Sequence, residues 1–343
     1  MSVNRKLWEQ IQRLEGRDYL DQNYKKRHGR SLNGQRAYEI GACFTQGREY
    51  FASASIASET VKPLLLYYGV ASLARGIILL LDRQKKEESL TPGHGLVTAS
   101  WAETLNKGIS EVLKIEVQAT KGTFSEFVSA VGNKQGYCWR IVPSGSAGYF
   151  NHDFGEVKFL SDGSKFSLND LLSREVDLAA DFEIANGSWG NTDFADVVAS
   201  DDKLQVCFSV MAGRTIEEAI AAYKFPDTSR IAVKPSIRYP ALQTVCVELD
   251  GTGEALKSFA PMASRQDENV GWTVRPFGNG DNLVDIHRMY IEAFILGMLS
   301  RYFPSRWISI LRSDKGDIAR SVILAAVSRI ENEFPRLASE ITH

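Results

Sequence analysis

The sequence predicts an α+β fold: a helical bundle made from the N- and C-terminal segments, with a mixed, mainly antiparallel α+β region inserted between them. Three observations carry this. The two most apolar stretches, Pro63–Leu81 and Asn282–Tyr302, read as helices and lie far apart in the chain. Each needs an apolar partner, and neither end of the chain supplies another helix as apolar, so the two are expected to pack together. Between them the pattern changes to an alternation of apolar and polar residues, which suits half-buried antiparallel strands better than a buried parallel sheet. The bundle is expected over residues 1–110 with 281–343, and the insert over 111–280.

The elements follow in order. Leu7, Trp8, Ile11 and Leu14 recur at helical spacing. Gly16 to Gly34 is polar and basic and reads as a loop or short helix. Gln35 to Ala57 places Tyr38, Ala42, Phe44, Arg48, Phe51 and Ser55 at three-to-four spacing. Pro63 opens the first apolar helix, where its missing N–H costs nothing. The charged run Asp82–Pro92 ends that helix, and Gly93-His94-Gly95-Leu96 reads as a turn. Strands are expected around Leu113, Ile115 and Val117, then over Tyr137–Val142, Glu156–Leu160, Leu204–Val210, Thr244–Leu249 and Trp272–Phe277. Short helices are expected over Ser167–Arg174 and Thr215–Lys224. The second apolar helix stops before Pro304, and Ser305–Leu311 is a turn or short helix. Asp314–Phe334 is amphipathic, with Ile318, Val322, Leu324, Val327 and Ile330 as its apolar positions.

Composition bounds the function. A chain of 343 residues can bury a sizeable core without a disulfide or metal staple. A charged fraction of 24% and a hydrophobic fraction of 44% exclude a disordered or fibrous chain. Forty Lys and Arg against 42 Asp and Glu argue against a globally basic nucleic-acid binder, while leaving room for a local patch. Cys43, Cys138, Cys207 and Cys246 form no CxxC pair, so no zinc ribbon is expected. Each cysteine sits among apolar residues and reads as a buried, reduced thiol. The N-terminus has no apolar leader region, which points to the cytoplasm. Pro63–Leu81 is just long enough to span a bilayer, but Arg75 lies inside it and no second span accompanies it, so a buried soluble helix is expected.

Four segments together resemble the YaaC-like family of bacterial proteins: QGREYFASAS (46–55), KPLLLYYGVASLARGIIL (62–79), GHGL (93–96) and MYIEAFILGMLSRYFPSRW (289–307). The resemblance covers both helical ends. It implies an architecture and no established activity. A weaker likeness underlies it: Tyr67-Tyr68 on an apolar helix, a charged loop and a His-Gly turn are similar to HEPN helical domains. Some of those are RNases that carry an Arg and, four to six residues later, a His at a dimer interface. Here only Arg336 and His343 approach that spacing, at the frayed end of the chain, so the resemblance implies binding more than RNA cleavage.

Several residues could carry chemistry. Arg75 inside an apolar helix must be paired or reach water, and Glu292 is the acid within the other apolar helix, so an Arg75–Glu292 ion pair is one reading, with snorkelling or an anion site as the others. His94, between two glycines, could act as a general base, or simply bond a helix end. His287 raises the same question and reads as a core or interface histidine. Arg301, Tyr302, Arg306 and Trp307 mix arginine with aromatics, as surfaces that stack bases and hold phosphates do; a packed helix end is the plainer account. Tyr68, Arg48, Lys62 and the basic run 25–30 add to that surface. No dinucleotide fingerprint, Walker loop, HExxH or nucleophile elbow is present, and no metal or cofactor is expected.

The leading expectation is a non-catalytic binding protein of a bacterial multi-protein system, with phage defence as the context the resemblance suggests. It would contact a protein partner or RNA (or DNA) through its bundle, away from membranes; a homo-oligomer is compatible. The alternative is a nuclease or nucleotide-processing enzyme using His94 with Arg48 or Arg75.

Overall fold

A computed structural model describes residues 2–132, 134, 136–141, 147–152, 160, 163–199, 203–210, 214–223, 225, 229–236, 242–250, 263–265, 271–281, 283–313 and 317–343. The chain divides into two compact units. One comprises Met1–Val131, Phe159–Leu171 and Ile286–His343, the other Gly132–Lys158 and Leu172–Asp285. The fold class is α+β, with helical N- and C-terminal segments, as the patterning predicts.

The first unit opens with α1 (Ser2–Arg13), α2 (Arg17–His28), α3 (Gly34–Ile56) and α4 (Lys62–Leu81). The polar stretch read as a loop or short helix is therefore a full helix, α2, closed by Gly29 in the left-handed region at φ 71°. Its sequence hides this because only Leu20 and Tyr24 are buried, too few to make a periodic apolar face. α4 is buried nearly all round, from Leu66 to Leu80. Among the described residues it alone is long and apolar enough to cross a membrane, and 67% of its apolar stretch lies inside the protein.

The end of α4 is held by a buried cation. A helix leaves its last carbonyls without partners. The Arg36 guanidinium donates to the carbonyls of Leu79 (2.9 Å), Asp82 (2.7 Å) and Lys85 (2.6 Å), and the His28 Nε2 bonds Leu80 O at 2.8 Å. Charge-assisted bonds of this kind contribute more than neutral ones. Arg36→Ala is expected to lower stability by about 2–3 kcal/mol in urea unfolding, with Arg36→Lys intermediate because one ammonium cannot reach three carbonyls at once. A loss below about 0.5 kcal/mol would show that water replaces the guanidinium freely.

After α4 come β1 (His94–Ala99), α5 (Trp101–Asn106), β2 (Glu116–Gly122), α6 (Thr123–Val131), β5 (Lys165–Ser167) and α7 (Leu168–Leu172). The strands form a small antiparallel sheet in the order β1-β2-β5. The Gly93–Leu96 turn of the sequence reading is thus the start of a strand. Its glycines mark a bulge: the register slips between His94 and Leu96, and Gly95 sits at φ 76°.

The chain returns with α10 (Asp285–Tyr302), α11 (Pro304–Leu311) and α12 (Asp317–Thr342). α12 runs through Pro335, beyond the expected end at Phe334. Its buried face is Val322, Ile323, Ala326, Ile330, Phe334, Leu337 and Ile341, whereas Ile318 is exposed. The apolar helices α4 and α10 do meet. A Cβ on Gly297 would lie 2.8 Å from Tyr67 Cβ and 3.3 Å from Pro63 O, so only glycine lets the two backbones come this close.

The second unit is built on an antiparallel run of strands, β10 (Ala263–Arg265), β11 (Gly271–Val274), β6 (Thr192–Ala199), β7 (Lys203–Ser209), β9 (Gln243–Asp250) and β8 (Arg230–Pro235) in that order. The β3–β4 hairpin (Gly136–Ile141, Ala147–His152) joins it through one parallel pairing of β3 with β6. Val206, Phe208, Val245 and Val247 form its core, covered by Ala219 and Tyr223 of α9 (Ile216–Tyr223). α8 (Ala179–Asn186) completes the unit. Arg230, Lys234 and Pro235 guard the open edge at β8, every residue of which is exposed.

The strands over 137–142, 204–210, 244–249 and 272–277 are found to within a few residues; the one at 156–160 lies largely outside the described residues. The expectation of reduced thiols is corrected. Cys207 and Cys246 face each other across β7 and β9, Cα atoms 4.1 Å apart, and are joined as a disulfide. Their separation of 39 residues gave no hint, because only the strand register brings them opposite. Cys43 stays a buried free thiol, pushed up to about 11 by burial.

Candidate functional site

Three elements of the helical unit bring His94 and Arg301 to one face. The β1 bulge comes first. Gly95 and Gly122 lie back to back, so close that a Cβ on either would meet the other strand, and this turns His94 to the outside while Leu96 enters the core. α4 places Tyr67 and Tyr68 beside it, and α10 supplies Tyr290, Phe294 and Arg301.

The His94 ring is anchored on one side. The Tyr67 Oη lies 2.5 Å from His94 Nδ1, and the Tyr290 hydroxyl donates to the His94 carbonyl at 3.2 Å. The Tyr67 and Tyr290 rings meet edge to face, with centres 6.4 Å apart. Phe294 packs against both Tyr67 and His94, with ring centres at 5.4 and 5.7 Å. Both phenols are buried, which raises them well above ordinary tyrosine, so both stay protonated. Partial burial, then the Arg301 charge, holds His94 below the usual histidine range, so it is neutral at pH 7.

Arg301 is exposed and oriented. It donates to the Tyr68 hydroxyl at 2.8 Å and lies over the Tyr302 ring at 5.0 Å. Tyr68 stacks on Tyr50 at 5.5 Å, and Tyr302 is 60% exposed. The face therefore offers a cation, a neutral imidazole and open aromatic surface together. Such a set can hold an anionic group and stack a planar one.

The other residues singled out from sequence lie elsewhere or are spent. Arg48 is clamped by Glu15 at 2.6 Å and Glu49 at 2.8 Å and makes no contact with His94. Arg75 is half-buried on α4, where its charge acts on the buried Cys43 thiol, and Glu292 is fully buried on α10. Trp307 is fully buried with its N–H on Glu59 O at 3.1 Å, leaving no face for stacking. Arg306 is half-buried on α11. His287 is fully buried against Phe127 and closed to any ligand. Lys62 is paired with Glu331 at 2.8 Å. Arg336, of the Arg336–His343 spacing, bonds Glu333 and Glu340.

Sequence reasoning missed Tyr67 and Tyr290 as parts of the site. Both look like core aromatics of apolar helices, and only the crossing of α4 with α10 beside β1 gives their hydroxyls a shared task. Among the described residues no group of His, Cys, Asp and Glu could hold a metal ion.

No curated protein and no solved structure matches the chain. The YaaC-like protein family does, over residues 8–342, and that span takes in every helix and strand that builds this face. On a match covering nearly its whole length, the chain belongs to the YaaC-like family.

Proposed function

We propose that the protein binds single-stranded RNA on the face formed by His94, Tyr68, Arg301 and Tyr302, as a binding component without a catalytic role. The observation that carries this is the Arg301 guanidinium, oriented by the Tyr68 hydroxyl, lying over an exposed tyrosine beside an exposed neutral histidine. A phosphate would sit on Arg301 and a base would stack on Tyr302, a combination that tolerates any sequence. A net charge of −2 makes a local site of this kind a better fit than an electrostatic groove along the whole protein.

The test is fluorescence anisotropy with a labelled oligo-uridine of roughly 12 nucleotides at low salt. Tyr302→Ala and Arg301→Ala are each expected to weaken binding by about 10-fold, and added salt to weaken it further. Both residues are exposed, so the variants should melt as the parent does. If the parent shows no saturable binding, or if both variants bind as it does, the reading fails. Electrophoresis of the same RNA after incubation separates binding from the nuclease alternative, which requires that the RNA be cut and that His94→Ala stop the cutting.

A further inference from the structure

A basic cavity of about 510 Å³ opens where the C-terminal ends of α2 and α4 meet α6. Arg27, His28, Asp82, Arg83, Gln84 and Ser129 supply its polar lining. By helix rise, the end of α4 lies about 20 Å along its axis from Tyr68, so this is a different place from the face described above. Cations gather at helix C-termini without any ligand, because they offset the dipole and serve the last carbonyls. Here other groups already do this. Arg36 and His28 hold the carbonyls at the end of α4, and the Gly29 N–H closes α2 on Lys25 O at 2.8 Å. The charges of Arg27 and Arg83 are left over. Arg27 donates through Nη2 to Ile341 O at 3.2 Å, its Nε is buried without a hydrogen-bond partner, and no carboxylate pairs with it among the described residues. Burial lowers it below the ordinary arginine value, with no acid to offset the effect. Arg83 is exposed and makes no hydrogen bond or ion pair among the described residues. Asp82 is the one acid among the described residues of the lining, and its Oδ1 already accepts from the Gln84 N–H at 2.9 Å.

We infer that this cavity binds a small phosphorylated molecule, its phosphate group held between Arg27 and Arg83. A guanidinium is a planar fork of donors that matches phosphate oxygens. Two such cations are matched by a dianion, whereas a carboxylate carries one charge. The cavity falls within the size range of small-molecule sites and has room for more than the phosphate. The Gln84 amide and the Ser129 hydroxyl offer hydrogen bonds to the rest of the ligand, and no aromatic ring lines the cavity among the described residues, so a polar body fits it better than a stacked base. The inference is independent of the RNA reading, which uses other residues.

The test is 31P NMR of inorganic phosphate titrated with the full-length protein, in low-salt buffer at a mildly alkaline pH where phosphate is a dianion. The parent should broaden the phosphate line saturably. Arg83→Ala and Arg27→Met should each weaken binding by about 5- to 10-fold, the scale of one charge-assisted contact at a partly exposed site. Arg83 has no partner in the protein to lose, so its variant should melt as the parent does and decides the matter even if Arg27→Met fails to fold. Acetate should not displace phosphate at equal concentration. A parent that shows no saturable broadening overturns the inference, and so does Arg83→Ala binding as tightly as the parent. Displacement by acetate overturns the phosphate assignment. If Arg301→Ala removes the broadening and Arg83→Ala does not, phosphate sits on the other face and the cavity is overturned. Oligo-uridine anisotropy on Arg83→Ala keeps the two readings apart, for the cavity predicts no change in RNA affinity there.

Discussion

Acid should destabilise the helical unit through His287, and His287→Leu should relieve this. The residue is fully buried, and neither ring nitrogen has a hydrogen-bond partner among the described residues. Burial, then the neighbouring Arg288 charge, depresses it to about 3. In the unfolded chain it titrates near its ordinary 6.5. Below that value the unfolded state takes up a proton that the folded state refuses. The stabilisation is therefore complete above pH 6.5 and is lost as the pH falls toward 3. At about 1.4 kcal/mol per unit, the loss by pH 4.5 is on the order of 3 kcal/mol. Urea unfolding at pH 7.5 and 4.5 measures it. At pH 7.5 the leucine variant should equal or exceed the parent, because two unsatisfied nitrogens are gone. Its fall between the two pH values should be smaller by those roughly 3 kcal/mol. Parallel falls in both proteins would place the acid sensitivity in the carboxylates instead.

Asp193→Ala should cost the sheet unit about 3–5 kcal/mol. Its carboxylate has no exposure, and it is the centre of a buried network. Arg275 reaches it through Nε at 2.9 Å and Nη2 at 3.3 Å, the Tyr223 hydroxyl donates to it at 2.7 Å, and Arg214 approaches within 3.5 Å. Removing the acid leaves the buried Arg275 guanidinium, with Arg214 beside it, without a counter-charge, and that residual charge causes most of the loss. A double variant, Asp193→Ala with Arg275→Met, should recover much of the stability, since it removes the carboxylate and the more buried of its two guanidinium partners. Urea unfolding of the three proteins decides. If the double variant is as unstable as the single one, packing and not unpaired charge explains the cost.

The two apolar helices, the strands of the sheet unit and the stop before Pro304 were legible because each follows from a local period or a local breaker. α2 was not, because a helix with two buried residues has no apolar stripe to read. The last helix was read only as far as Phe334, whereas α12 continues through Pro335, held by packing on both sides of it at Phe334 and Leu337. At the candidate site, His94 and Arg301 stood out as separate oddities, one between glycines and one among aromatics. Tyr290 did not stand out, and Tyr67 did so only beside Tyr68 in a family likeness, for an aromatic on an apolar helix is ordinary until its hydroxyl finds a partner.

By itself the sequence determined the α+β class, the two apolar helices and most strands of the sheet unit, and which polar residues sit uneasily in apolar stretches. Those properties depend on neighbours a few positions away. Only the tertiary structure decided that Cys207 faces Cys246, that Arg36 closes α4, and that His94 and Arg301 share a face. Each of these depends on side chains from distant segments meeting at hydrogen-bond range. A shift of one residue in a strand or a third of a turn in a helix would separate them, and local periodicity does not encode position that finely.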